Sequence, residues 1–245
     1  MHAVAILAGL LFHTVEGVHT MRVKHVLCIA TNTAVLGPFE RTVGFFFPEI
    51  AHPFEVLEEA GIAVEFASPL GGIVPDDGYD ASDPAQKKFL ESAAYRRLQR
   101  SRKLSEVDVL DYDAIFFPGG LGPMEDIAKD RYVKQAVLRA WNGDKIVSAV
   151  CHGPVAFLGV RLDDGTPFVK GHKLTSFSKA EEDGYAARDV SFDLEGVLRE
   201  AGAEYSCADP WQPHLVVDGR LITGQNPASG TAVGKALVEA LAKVP

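Results

Sequence analysis

The chain has 245 residues, 47% hydrophobic and 23% charged, enough for one large soluble domain with a sizeable core. Asp and Glu (33) outnumber Lys and Arg (24), and a net charge of −9 repels phosphate backbones and anionic lipid, so nucleic acid and membrane are excluded as first expectations. No run reaches the ~18 apolar residues of a membrane span, and the three cysteines (Cys28, Cys151, Cys207) are too few and scattered for a disulfide framework or a four-ligand zinc site, which points to a reducing, cytoplasmic setting.

Residues 3–12 look like the apolar core of a signal peptide, but no Lys or Arg precedes them and no small-x-small cleavage site follows. Residues 1–20 are therefore expected to be a dispensable extension, with the domain running from 21 to 245. Val26–Ala30 is a short apolar run suited to a strand buried on both faces. Ile50, Phe54, Leu57 and Ala60 share one helical face, and Gly61 stands where a C-terminal cap belongs. Ile62–Ala67 reads as the next strand.

Residues 69–112 read as an insertion: a turn-rich tract, then a polar helix ending in Arg96, Arg97, Arg100, Arg102 and Lys103. Segments of this length often cover a site; the cations are expected to be a solvated helix end. Ala114–Phe117 is a strand stopped by Pro118-Gly119-Gly120. Asp130 caps a helix lined by Val133, Ala136, Val137 and Ala140. Ile146–Val150 is a further strand, a helix follows at about 192–201, and strands near 203–207, 215–217 and 220–223 precede a last helix from Pro227, with Asn226 as its cap. This alternation with short Gly-rich joints predicts one α/β domain, its sheet mostly parallel with helices on both faces.

Cys151 is the most informative residue. An apolar strand stops at it, a helix is expected to follow, and small residues (Ala149, Gly153) flank it two places on either side, as a tight strand-to-helix turn that lifts a nucleophile requires. A thiol at such a turn faces backbone N–H groups and the dipole of a following helix, which favour thiolate. The N–H groups of Gly120 and His152 are placed to form an oxyanion hole beside it. Cys28 and Cys207, inside strands, are expected to be inert.

Ala149-Val150-Cys151-His152-Gly153-Pro154, Phe117-Pro118-Gly119-Gly120, Glu49-Ile50-Ala51-His52-Pro53 and the 219–229 segment with Gly224-Gln225-Asn226-Pro227-Ala228-Ser229 together resemble the ThiJ/PfpI superfamily, in particular its glutathione-independent glyoxalases (glyoxalase III), also described as chaperones and protein deglycases. The resemblance implies a flavodoxin-like doubly wound sandwich, a homodimer, and catalysis by Cys151, His152 and Glu49. It also implies an acid that orients the histidine, with Glu182 favoured by the count from Phe177 and Glu181 left open. Where the family commonly has histidine after Pro-Gly-Gly, this chain has Leu121, which removes a polar group from the pocket rim.

The implied reaction converts methylglyoxal or a related small 2-oxoaldehyde to lactate or its 2-hydroxy-acid counterpart through a cysteine hemithioacetal, with no metal or other cofactor. Position 49 has local support, since it follows Phe45-Phe46-Phe47-Pro48 and burial raises a carboxyl pKa; Pro53, four residues on, is expected to distort the helix there. A stress-response holdase with a redox-sensing Cys151 and a Cys-His amide hydrolase or peptidase are the competing readings; neither needs a proton-transfer base at 49. His52 and Glu55 could supply two ligands of a two-His-one-carboxylate metal site, but no third is evident. Trp211 and His214 are read as packing groups, and Gly171-His172 as a turn.

Overall fold

A computed structural model describes residues 22–244; the expected extension over 1–20 lies outside them. Its centre is a seven-stranded sheet of β1 (His25–Ile29), β2 (Ala63–Ser68), β3 (Arg102–Lys103), β4 (Ala114–Phe117), β5 (Ile146–Val150), β6 (Leu215–Asp218) and β7 (Leu221–Gly224). Their spatial order is β6-β7-β5-β4-β1-β2-β3, and every pairing is parallel except the β6–β7 hairpin.

Strand periodicity divides the core in two. Leu27, Ile29, Ile115, Phe117, Val147 and Ala149 face one side, where α4 (Arg131–Asn142) and α6 (Leu194–Glu200) bury Val133, Val137, Leu194 and Leu198. Val26, Cys28, Ala114, Phe116, Ile146 and Val150 face the other, against α1 (Pro48–Glu59) and α7 (Gly230–Leu241). The central strands β1, β4 and β5, covered on both faces, are apolar at every position but His25 and the buried Ser148, which is why they read as near-continuous apolar runs. The result is the doubly wound, flavodoxin-like α/β sandwich.

Strand order reverses between β1 and β4, so the carboxyl ends of β1, β4 and β5 open on one crevice, where such sheets bind ligands. Asp130 caps α4 by accepting from the N–H groups of Tyr132 (2.7 Å) and Val133 (3.0 Å). Gly61 closes α1 at φ +70°, the left-handed position that glycine adopts freely.

Residues 69–112 depart from expectation. The anticipated single polar helix is two, α2 (Pro84–Glu91) and α3 (Ala93–Leu98), capped by Asp83 and Ser92. They add Phe89, Ala94 and Leu98 to the core, and the segment supplies the edge strand β3, so it is built into the sandwich. Asp76–Asp77 pairs in parallel with Phe45–Phe46 and fixes the approach to α1. Arg96, Arg97, Arg100, Arg102 and Lys103 are all exposed, as a solvated cation run should be. Four of them, Arg96, Arg97, Arg100 and Arg102, line a broad groove of about 920 Å³ with Phe54, Phe66 and Tyr95, and Cys151 does not line it.

Two further local expectations are corrected. A five-residue 3-10 turn, Gly153–Phe157, follows Cys151 in place of an α-helix. Asn226 makes no side-chain cap bond: Pro227–Ser229 is a 3-10 turn before α7, and the Asn226 amide is drawn instead to Glu181 and the carbonyl of Gln212. α1 runs unbroken through Pro53; the missing N–H deprives only the Glu49 carbonyl, near the start of the helix.

Candidate active site

β5 delivers Cys151 to the crevice in the left-handed conformation, φ +60°, which is strained for a residue with a Cβ and typical of residues over-determined at functional sites. The turn closes because Gly153 has no side chain: a Cβ there would lie 2.2 Å from the Phe117 carbonyl oxygen. From behind, Lys134 Nζ donates to the carbonyls of Ile127, Val155 and Ala156, and burial pushes its ammonium down to about 8.

Glu49, in the first turn of α1, is fully buried. Its Oε2 accepts from the Gly119 N–H at 2.7 Å, and its carboxyl comes within hydrogen-bonding reach of the Cys151 thiol. Oε1 has no partner among the described residues. Burial pushes the Glu49 carboxyl from its ordinary 4.5 up to about 8, against the pull of Cys151 and the Gly119 N–H; the charge of Glu181 adds to the rise.

The thiol, 4% exposed, is pushed well above its ordinary value by burial and then by Glu49, against the N–H groups of Gly120 and His152, which both point at the sulfur. These are the two donors expected to form an oxyanion hole. The helix dipole expected from sequence to favour thiolate is missing, because a short 3-10 turn replaces the helix, and burial with the adjoining Glu49 carboxyl pushes the thiol up.

His152 is the third member. Its Nδ1 lies 3.4 Å from Cys151 Sγ and its Nε2 2.7 Å from Glu182 Oε2. With Glu182 as a carboxylate, Nε2 carries the hydrogen and Nδ1 turns a lone pair to the sulfur. The expected residues Glu49, Cys151, His152 and Glu182 therefore meet at one point, with the Gly120 and His152 N–H groups beside them.

Glu181 is a different object. Oε2 accepts from Ser178 N–H (2.9 Å), Ser178 Oγ (2.7 Å) and Gln225 Nε2 (3.0 Å), and Oε1 from Trp211 N–H and Asn226 Nδ2 (2.8 Å each). It joins three loops around the site. The signal for it was in the sequence: Ser178-x-x-Glu181 is a capping box, and the structure forms one at the start of α5 (Lys179–Tyr185).

Leu121 does not reach a pocket rim; it is 2% exposed and packs with Leu36, Val43 and Ala186. His52 Nε2 pairs with Asp83 Oδ2 at 2.7 Å and so ties α1 to the cap of α2. Among the described residues no group of three His, Cys, Asp or Glu side chains has metal-binding geometry, and no helix is long and apolar enough to cross a membrane. Neither Trp211 nor His214 is sealed in packing: Trp211 is half exposed, and His214 Nε2 lies 2.9 Å from Ser206 Oγ.

A strained cysteine at the carboxyl end of a parallel strand, backed by a histidine–carboxylate pair and a buried acid, defines a class of cysteine-centred α/β proteins. The DJ-1/PfpI family model matches residues 44–240, and the chain belongs to that family. It is 30% identical over 238 residues to Glyoxalase 3 of Candida albicans, covering 89% of this chain and 98% of that one. To the glutathione-independent glyoxalase HSP31 of Saccharomyces cerevisiae it is 29% identical over 211 residues, 81% of this chain and 89% of the relative. Rapid Encystment Protein 24 KDa of Francisella tularensis superposes with a TM-score of 0.85 at 32% identity, covering 89% of this chain and 99% of its own.

Proposed function

We propose that the protein is a glutathione-independent glyoxalase that converts methylglyoxal, or a 2-oxoaldehyde like it, to the 2-hydroxy acid, here lactate. The observation that carries this is the buried Glu49 carboxyl beside the Cys151 thiol, with Oε2 held by the Gly119 N–H and Oε1 without a partner among the described residues. A redox sensor or an amide hydrolase has no use for a second base at that point; an internal hydrogen shift does. The names of the relatives from two yeasts support the same reading.

Glu49, as carboxylate, takes the thiol proton while sulfur adds to the aldehyde carbon. The oxyanion faces the N–H groups of Gly120 and His152 and regains that proton, giving the hemithioacetal and freeing Glu49. Glu49 then removes the C1 hydrogen as a proton, giving the enediolate, and hands that proton to C2 while the C1 hydroxyl proton passes to the C2 oxygen, which leaves the lactoyl thioester and Glu49 again a carboxylate. Water, oriented by His152 with Glu182 behind it, cleaves the thioester and restores the thiol. One water enters, lactate leaves, and no outside oxidant or thiol is consumed. The homodimer, the cytoplasmic setting and a protein deglycase activity belong to this proposal through the family resemblance; light scattering tests the first.

Lactate release from methylglyoxal without glutathione is the decisive measurement. Wild type is expected to produce it, and Cys151→Ser and Glu49→Gln to lose it; a wild type that consumes no 2-oxoaldehyde overturns the proposal.

A further inference from the structure

Four rings lead from the site to solvent. The His152 ring lies 4.5 Å from that of Phe177, whose N–H donates to the Cys151 carbonyl at 2.8 Å. Phe177 in turn lies 5.5 Å from Trp211 and 5.9 Å from Tyr185, and these last two are 5.9 Å apart, all edge to face. Phe177 is buried, whereas Tyr185 is 36% and Trp211 50% exposed. Tyr185 stands within the field of the thiol: burial pushes its phenol up, and the charges of Arg41, Asp77, Cys151 and Glu49 act on it through space.

Trp211 is not placed as packing. Its φ is +64°, a left-handed backbone that a bulky residue takes up only when held there. What holds it is its N–H bond to Glu181, the buried carboxylate with five donors. The fold thus presents a half-exposed indole in a strained conformation, on a rigid anchor, two rings from the histidine of the site. The neighbouring cation is already neutralised. Arg41 stacks 4.5 Å over one face of the Tyr185 ring and pairs with Asp189 at 2.9 Å, so the flat apolar group left exposed here is the Trp211 indole, with the Arg41 cation not free to meet a charged substituent.

We infer that Trp211, with Tyr185 beside it, is a specificity-determining platform for the substituent that a 2-oxoaldehyde carries away from its reacting carbonyls, and that it selects flat, apolar, aryl-bearing substrates over methylglyoxal. The inference rests on the 2-oxoaldehyde reading above. A methyl group covers little of an indole, whereas an aryl ring meets it edge to face.

The test compares kcat/KM for phenylglyoxal and methylglyoxal in wild type, Trp211→Ala and Trp211→Phe. Trp211→Ala is expected to lower the phenylglyoxal-to-methylglyoxal ratio about 10-fold, with methylglyoxal nearly unchanged, and Trp211→Phe to hold the ratio within about twofold. A ratio unchanged in Trp211→Ala, or an equal loss for both substrates, overturns the inference. A second measurement does not need turnover: calorimetric binding of mandelate and lactate, the two 2-hydroxy acids, to Cys151→Ala. Mandelate is expected to bind at least about 5-fold more tightly than lactate, and Trp211→Ala added to that variant to erase the difference. Equal binding, or no mandelate binding, overturns the platform. If wild type consumes neither aldehyde, the glyoxalase reading falls and the calorimetry alone decides the platform.

Discussion

Glu49 reaches Cys151 across a point that any side chain at position 119 would fill. A Cβ built on Gly119 would stand 2.7 Å from Glu49 Oε2, 2.7 Å from Cys151 Cβ and 2.6 Å from the His152 nitrogen. Gly119→Ala must push apart the acid, the thiol and a proposed oxyanion donor together. Activity on a 2-oxoaldehyde is expected to fall at least about 100-fold, because a misplacement near 1 Å costs that much, while the fold loses about 1–3 kcal/mol, the usual cost of overpacking. Steady-state kinetics beside a urea titration checks it; an active, equally stable Gly119→Ala would show that the close approach is not needed.

The proposed base must be ionised to act, and burial holds Glu49 protonated up to about pH 8. kcat/KM is therefore expected to rise with pH through about 8 and level off above it. Glu49→Gln should remove that rising limb and lower the rate about 10²–10⁴-fold. A pH–rate profile of both proteins decides; the same limb persisting in Glu49→Gln would assign it to another group.

That raised pKa also has a stability consequence of definite sign. Folded Glu49 titrates near 8, against an ordinary 4.5. Between those pH values the folded chain binds more protons than the unfolded one, so this group makes stability fall as pH rises from about 4.5 to about 8. Glutamine keeps the shape and cannot ionise. Glu49→Gln is expected to melt about 5 °C above wild type at pH 8.5 and close to it at pH 4. Calorimetry at the two pH values checks the difference; a variant less stable than wild type at pH 8.5 would reverse the sign.

The parts of this molecule legible in the sequence are those whose cause is local. β1, β4 and β5 are apolar at every position but His25 and Ser148 because both their faces are covered, and Asp130 and Gly61 mark helix ends with their own chemistry. Cys151 is visible for the same reason: the small residues around it serve a turn a few residues long. Long-range partners are not visible in that way. Nothing near Trp211 announces that its N–H belongs to Glu181, 30 residues away, or that Asn226 serves that carboxylate and no helix. The 69–112 segment misleads because its polar face hides Phe89 and Leu98, whose core neighbours are remote in the chain. Leu121 looks like a rim residue until Leu36, Val43 and Ala186 are seen around it.

Glu181 and Glu182 are adjacent, buried and chemically identical, yet the structure gives them opposite tasks. Glu182 has one partner, His152 Nε2 at 2.7 Å, and its Oε1 has none among the described residues. Glu182→Gln keeps the volume and removes only the charge that orients the imidazole. It is expected to cost about 10- to 100-fold in kcat with a small change in melting temperature. Glu181 collects five donors from three loops, and glutamine presents one oxygen where two are used. It also aims its NH₂ at the donors it displaces: either Trp211 N–H and Asn226 Nδ2, or Ser178 and Gln225 Nε2. Glu181→Gln is expected to destabilise the fold by about 2–4 kcal/mol, since each buried donor left unpaired costs about 1–3 kcal/mol. Parallel melting curves and kcat measurements separate the two. If Glu181→Gln proved the neutral one for stability, or Glu182→Gln the one that unfolds, the assignment of Glu182 to His152 and of Glu181 to the loops would have to be exchanged.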